Sequence, residues 1–355
     1  MSLNKQSFAI ITSFPPGTGV GRYNEILHLA INDKAKWINI NINRTMIKNY
    51  DSLQEIEIKS KLGFLPEKIS SKLNVLLQKK IFFKELISET INYKYLHYTD
   101  PRIVPLPGIS GIVTIHDLTS IDNHNIFDID SIVINKNINI YKKFENVIVN
   151  SNYVKSQVES YGFNGRIKTI HLAASPNFRI VDDKESIRKK IGLPIDKILI
   201  LSISSNAPRK NLSIIKDLKH KLGGNIEIVR IGTPITNAIN LHNVDDAMLN
   251  MLYNAVDLLL FPSLSEGFGY PVVEAFATGL PVVALDIPIM QEIISKYGLL
   301  ADNNLDDIAI KIKECLNSQE EYKKLSLLRS EYFSFQRYER EVIQYYDDIF
   351  NYNFR

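Results

Sequence analysis

Cysteine is nearly absent from this chain. Its 355 residues contain one, Cys315, which excludes an intrachain disulfide and any metal site built from several cysteines. Cys315 sits in IKIKECL, where helical spacing reads it as a small apolar filler. Long apolar runs are also lacking: no stretch reaches the roughly 18 residues that span a bilayer. The N-terminal MSLNKQSFAIITSFPPG has only a short apolar patch leading into glycines, which reads as a first strand and not as a signal peptide. The expected location is therefore cytoplasmic, at most peripheral at the inner face of a membrane. A large excess of one charge sign is missing too. The net charge is +3, too modest for a nucleic-acid binder, so no nucleic-acid partner is expected.

What is present is a globular composition, 45% hydrophobic, in a chain long enough for two cores. Short β-branched runs alternate with helical stretches. One set of candidate strands is Phe8–Thr12, Trp37–Ile42, Ile112–Ile115, Val147–Val149 and Ile167–Ile170. A second is Ile198–Ser202, Ile226–Ile231, Leu258–Phe261, Val282–Ala284 and Gly298–Leu300. Buried strands alternating with helices imply doubly wound parallel sheets. The fold class read from this is α/β with two Rossmann-like halves. The break falls near SPNFRIVDDKESIRKKIGLP, giving an N-terminal domain 1–175 and a C-terminal domain 176–334. The end, 335–355, reads as an amphipathic packing helix with Phe335, Tyr338, Val342, Tyr345 and Ile349 on one side.

The segment Phe261–Val283, FPSLSEGFGYPVVEAFATGLPVV, is punctuated from strand to strand. Gly267 and Gly269 let backbone N–H groups approach an anion. Pro271 suits the first position of a helix whose positive end points back at that loop. Gly279 suits its C-terminal cap. Glu274 lies just inside the helix, where a carboxylate can accept from a ribose diol, and Glu266 lies on the strand side, where it can hold sugar hydroxyls. The plainer alternative is a β-α-β packing turn with two solvated carboxylates.

This segment resembles the Glu-x7-Glu signature of retaining glycosyltransferases of the GT-B fold, specifically glycosyltransferase family 4. The resemblance implies two Rossmann-like domains facing a cleft, with the C-terminal helix crossing back onto the first. It implies that Glu266 approaches the donor sugar, that the backbone of Gly267, Phe268 and Gly269 meets the diphosphate, and that Glu274 binds the ribose. Several other positions match the family. In ISSNAPRKNL, Lys210 stands at the family's lysine on the diphosphate. Ser205 stands where an arginine is usual, so Arg209 is the candidate for that contact. Val244 matches a base-binding loop that acts through its main chain. In GVGRY, Gly19 and Gly21 match the loop facing the donor. In VTIHDL, His116 matches a sugar contact, with Asp117 as its orienting neighbour. The catalytic set implied is His116, Glu266, Arg209 and Lys210. The donor-binding set is Gly19, Gly21, Val244, Gly267, Phe268, Gly269 and Glu274.

The implied activity is transfer of a hexose from a nucleotide diphosphate sugar to a hydroxyl of a glycan or lipid-linked acceptor, with retained configuration. HDL and GVGRY look like the mannosyltransferase branch, which puts GDP-mannose first and a UDP-sugar next. No cofactor and no metal are required. Asp128-Ile129-Asp130 is a literal Asp-x-Asp but lacks the context of a metal-dependent transferase. Gly17, Gly19 and Gly21 imitate a dinucleotide turn, but the second strand ends in Asn residues where an acid would bind ribose. An amphipathic stretch with Lys79, Lys80 and Lys84 is either a core-facing helix or a patch for an anionic membrane. The competing functions are a GT-B sugar-nucleotide epimerase and a non-catalytic carbohydrate-binding protein.

Overall fold

The computed structural model describes residues 8–12, 18–41, 54–57, 93–103, 105, 111–118, 137–181 and 183–350. The chain forms two compact units. One is Met1–Ile170 with Glu339–Arg355, and the other is His171–Tyr338.

The first unit is built on β1 (Phe8–Thr12), β2 (Lys36–Asn41), β3 (Gln54–Glu57), β4 (Tyr95–Tyr98), β5 (Gly111–Ile115), β6 (Asn146–Val149) and β7 (Arg166–Thr169). They pair in the order β3-β2-β1-β4-β5-β6-β7, all parallel. β1 is buried at all five residues, as expected of an apolar strand covered on both faces. Helix α1 (Gly19–Ile31) follows β1, capped by Thr18, whose hydroxyl accepts from Gly21 N–H. Helix α2 (Asn152–Ser160) follows β6, capped in the same way by Ser151. At the other end of the chain, α10 (Phe335–Phe350) contributes its later turns to this unit. Its Tyr346 and Phe350 rings lie 4.9 and 4.7 Å from Phe8, and Phe350 lies 4.5 Å from Tyr95.

The second unit contains β8 (Ile198–Ser204), β9 (Ile226–Gly232), β10 (Ile239–Leu241), β11 (Leu258–Phe261), β12 (Val282–Leu285) and β13 (Leu299–Ala301). Their order is β10-β9-β8-β11-β12-β13, again all parallel. Counted within the unit this is the doubly wound Rossmann order, and it reverses between β8 and β11. The helices are α3 (Lys184–Ile191), α4 (Leu212–Leu222), α5 (Asp246–Ala255), α6 (Tyr270–Ala277), α7 (Pro288–Ile294), α8 (Leu305–Asn317) and α9 (Gln319–Tyr332). Ile215 and Leu218 of α4 and Ile308 and Ile312 of α8 close over Ile200, Ile228, Leu258 and Leu260. Cys315 is buried in that cluster. Burial pushes its thiol up to about 12, so it behaves as an apolar filler.

The expected α/β fold is present, with three strands the sequence pattern did not signal. β3 (QEIE) is polar and lies at a sheet edge. β4 (YLHY) is central yet carries a histidine. β10 (INL) is a three-residue edge strand. The Asp-x-Asp at 128–130 and the basic stretch at 79–84 lie outside the described residues. Among the described residues, no helix is long and apolar enough to cross a membrane.

Candidate active site

The reversal point between β8 and β11 is where ligands bind in sheets of this order, outside the carboxyl ends of the strands. β8 ends at Ser204 and gives way to a turn at 205–211. Pro208–Lys210 forms one 3-10 turn there, and Asn211 takes a left-handed φ of 54°. Leu264 N–H donates to the Arg209 carbonyl at 2.7 Å, tying this turn to the loop after β11. Across that join lies Glu266, 8% exposed. Its Oε2 accepts from Arg209 Nη1 at 2.9 Å, and its Oε1 accepts from Lys210 Nζ. Arg209 Nη1 also donates to the Ser265 carbonyl at 3.0 Å. The same carboxylate therefore holds both cations. Their proximity to each other was legible in sequence, but their common partner 56 and 57 residues away was not. Charge-assisted bonds of this kind fix side chains before a ligand arrives.

The Gly267–Gly269 loop leads into α6. Gly269 is the N-cap with φ 115°, so the backbone demands glycine, and a Cβ there would also press on Met290 Cε at 3.0 Å. The helix begins at Tyr270, so Pro271 takes its second position and not the first. Phe268 is buried, its ring edge-on to Tyr270 and Phe333 with centres 6.0 and 5.8 Å away. The main chain of Phe268 is thus anchored by its own side chain. Glu274 is 2% exposed, and its Oε2 accepts from the Tyr253 hydroxyl of α5 at 2.7 Å. Tyr253 was not singled out from sequence, where it is one apolar position of MLNMLYNAV. Val244 is half-buried in the loop just before α5, whose cap Asp245 accepts from Met248 N–H. Ser205 is exposed.

In the first unit, His116 follows the carboxyl end of β5. Its Nε2 lies 2.8 Å from the Thr99 carbonyl, which can only accept, so that nitrogen carries the proton. Its ring stands edge-on to Tyr23 at 4.7 Å, and its own carbonyl accepts from Asn150 Nδ2 at 3.0 Å. The protein packed around His116 lowers its pKa, opposed by the Asp100 carboxylate, by the Thr99 bond and by Asp117. The orienting bond from Nε2 thus goes to a main-chain carbonyl. Behind it, Tyr23 meets the Thr114 hydroxyl at 2.9 Å, Thr114 meets His97 Nε2 at 2.7 Å, and His97 Nδ1 meets the Tyr346 hydroxyl at 2.7 Å. No sequence motif announced this chain of contacts. Gly19 opens α1, and Gly21 donates to its cap. Gly17 lies outside the described residues. Among the described residues, no group of three or more His, Cys, Asp or Glu could hold a metal ion.

Residues 183–327 match the family model of glycosyl transferases group 1. That stretch contains Arg209, Lys210, Val244 and the whole run from Glu266 to Glu274. Among curated proteins, the O-antigen chain mannosyltransferase B of Escherichia coli is 39% identical over 74 residues, which is 21% of this chain and 19% of that protein. The chain thus spans about a fifth of the length of the first curated relatives it matches. Among solved structures, a sucrose-phosphate synthase from Thermosynechococcus elongatus superposes with a TM-score of 0.78 at 16% identity, covering 97% of this chain and 99% of that one. Anabaena HepE, solved with UDP and glucose, gives 0.76 at 14% identity, covering 96% and 98%. At such identities the likeness is one of fold: two Rossmann-like domains, as in GT-B glycosyltransferases. The family match covers the second unit's site, from the turn at Arg209 and Lys210 to Glu274.

Proposed function

We propose that this chain transfers a hexose from a nucleotide diphosphate sugar to a hydroxyl of a glycan or lipid-linked acceptor, with retained configuration. The observation that carries the proposal is the Glu266 carboxylate, held by Arg209 and Lys210 beside the Gly267–Gly269 loop at the reversal of the second sheet. In this reading the two cations stand where a leaving diphosphate gains charge, and their prior fixation removes reorganisation from the step. Glu266 turns part of its hydrogen-bonding capacity to sugar hydroxyls. The backbone of Gly267, Phe268 and Gly269 meets the diphosphate, Glu274 with Tyr253 receives the ribose, and the Val244 loop meets the base. In the first unit, His116 and the loop at Gly19 and Gly21 stay candidate donor contacts on the strength of the motif resemblance alone. No covalent nucleophile is required: the departing phosphate oxygen takes the acceptor's proton as the new glycosidic bond forms on the same face. No metal or other cofactor is assigned.

GDP-mannose is the first candidate donor, because the relative with 39% identity is named as a mannosyltransferase. A UDP-sugar is the second, because HepE was solved with UDP. The relative named for the O-antigen chain supports a saccharide acceptor; the lipid carrier and the cytoplasmic place at the inner membrane face belong to the proposal alone. The deciding experiment is a thermal-shift screen against GDP, UDP, ADP, their sugar conjugates and NAD. Stabilisation by one nucleoside diphosphate and its sugar is the expected result and names the base. No shift with any nucleotide, or a shift with NAD alone, would overturn the reading.

A further inference from the structure

The largest side chain with essentially no exposed surface among the described residues is a charged one, Arg230 of β9. It lies on the same strand face as Ile226 and Ile228, whose side chains belong to the core under α4 and α8. Its guanidinium reaches toward the strand ends. Nε donates to the Thr233 carbonyl at 3.0 Å, Nη1 to Ser202 Oγ at 3.3 Å, and Nη2 to the carbonyl and hydroxyl of Ser204. Every one of these partners is a neutral oxygen. No carboxylate pairs with Arg230 among the described residues. The contrast with Arg188 in the same unit is sharp: Arg188 is also buried, at 5% exposed, but meets Asp257 at 2.8 Å. Burial alone pulls the Arg230 pKa down to about 10, so the group stays charged at neutral pH.

Buried charges in proteins are ordinarily paired, because an isolated ion loses its hydration without recompense. Arg230 has no counter-ion among the described residues, yet it sits beneath the carboxyl ends of β8 and β9. Two of its four bonds end on Ser204, the last residue before the turn that carries Arg209 and Lys210. The backbones are pressed together there as well. A Cβ at Gly232 would lie 2.1 Å from the Ser204 carbonyl, with a φ of 103°. A side chain on residue 232 is therefore excluded at that crossing.

We infer that Arg230 is a built-in positive charge whose counter-anion is the diphosphate of the ligand, and that it positions the 205–211 turn for that diphosphate. This rests on the function proposed above. Arg230 is a positioning residue: it acts through the field it projects at the strand ends and through its hold on Ser204. It does not touch the ligand.

The test is titration of the full chain with the nucleoside diphosphate found in the screen, for wild type, Arg230→Met, Arg230→Lys and Ser202→Asp. Ser202→Asp leaves Arg230 in place and gives it a carboxylate. The expected results are a loss of diphosphate affinity of about tenfold in both Arg230→Met and Ser202→Asp, with most of the affinity kept in Arg230→Lys. Ser202→Asp should also melt at or above the wild-type temperature. A merely structural arginine predicts the same stability gain with unchanged affinity, and unchanged affinity in Ser202→Asp overturns the inference. If Arg230→Met fails to fold, Ser202→Asp decides alone. If wild type binds no nucleoside diphosphate, the proposed function falls first, and the two failures are thereby distinguished.

Discussion

Glu266 carries two jobs that pull a single-site variant in different directions. It pairs with both Arg209 and Lys210 in the unliganded protein, offsetting one of their two charges, and in the proposed reaction it holds sugar hydroxyls. Glu266→Ala removes the carboxylate that both cations share. We expect nucleoside diphosphate to bind at least as well, since both cations are released for it, while sugar transfer falls by about a hundredfold or more. A near-wild-type rate in this variant would remove Glu266 from the site. His97 makes a different case. Burial, with a smaller contribution from His116, lowers its pKa to about 3, so it is neutral in the fold but protonates near 6.5 when unfolded. The unfolded chain binds the extra proton between those values, so stability rises with pH across that window. The contribution is complete above about 6.5 and drains away as pH falls toward 3, by up to about 1.4 kcal/mol per unit. His97→Gln should be less stable at pH 7, yet its melting temperature should fall less steeply below pH 6. Parallel curves for variant and wild type would show that His97 does not titrate as argued.

Helix α6 shows how far a sequence reaches at the scale of an element. Its glycines were legible because backbone geometry is a local property. Gly269 has φ 115° and Gly279 has φ 70°, and only glycine adopts such angles at little cost. After Gly279 the helix ends in a Schellman pattern, with Leu280 N–H on the Ala275 carbonyl and Gly279 N–H on the Phe276 carbonyl. The partners of the side chains were not legible. Tyr253 on Glu274 and Thr99 on His116 are contacts made by sheet assembly, and no local spacing encodes them. The strand pattern failed for a related reason. β4 carries His97 at a position where apolar periodicity calls for an aliphatic residue, and only the Thr114 and Tyr346 hydroxyls make that burial tolerable. Gly279→Ala tests the local part. A Cβ there meets Leu327 at 3.2 Å besides the strained φ, so we expect a loss of about 1–2 kcal/mol in a denaturant titration. A neutral result would mean that the helix end shifts freely.

At the scale of the molecule, two parallel sheets each have their own apolar clusters. Ile11, Val113 and Val149 lie in one, and Ile200, Leu260 and Val283 in the other. The alternation of β-branched runs with helices made both sheets readable from sequence, because parallel strands buried on both faces must be apolar throughout. It could not show that the last turns of α10 would close the first sheet, since Tyr346 and Phe350 meet Phe8 and Tyr95 across more than 250 residues of chain. Separate cores imply separate responses. The acid-sensitive group, His97, belongs to the first unit, and the proposed nucleotide contacts at Arg209, Lys210, Glu266 and Glu274 belong to the second. Calorimetry should therefore resolve two transitions. His97→Gln should move one of them, and saturating nucleoside diphosphate should move the other, by about 2.7 kcal/mol at a hundredfold excess over Kd. A single transition that responds equally to the substitution and to the nucleotide would mean that the two cores unfold as one and that the division at His171 and Tyr338 has no energetic counterpart.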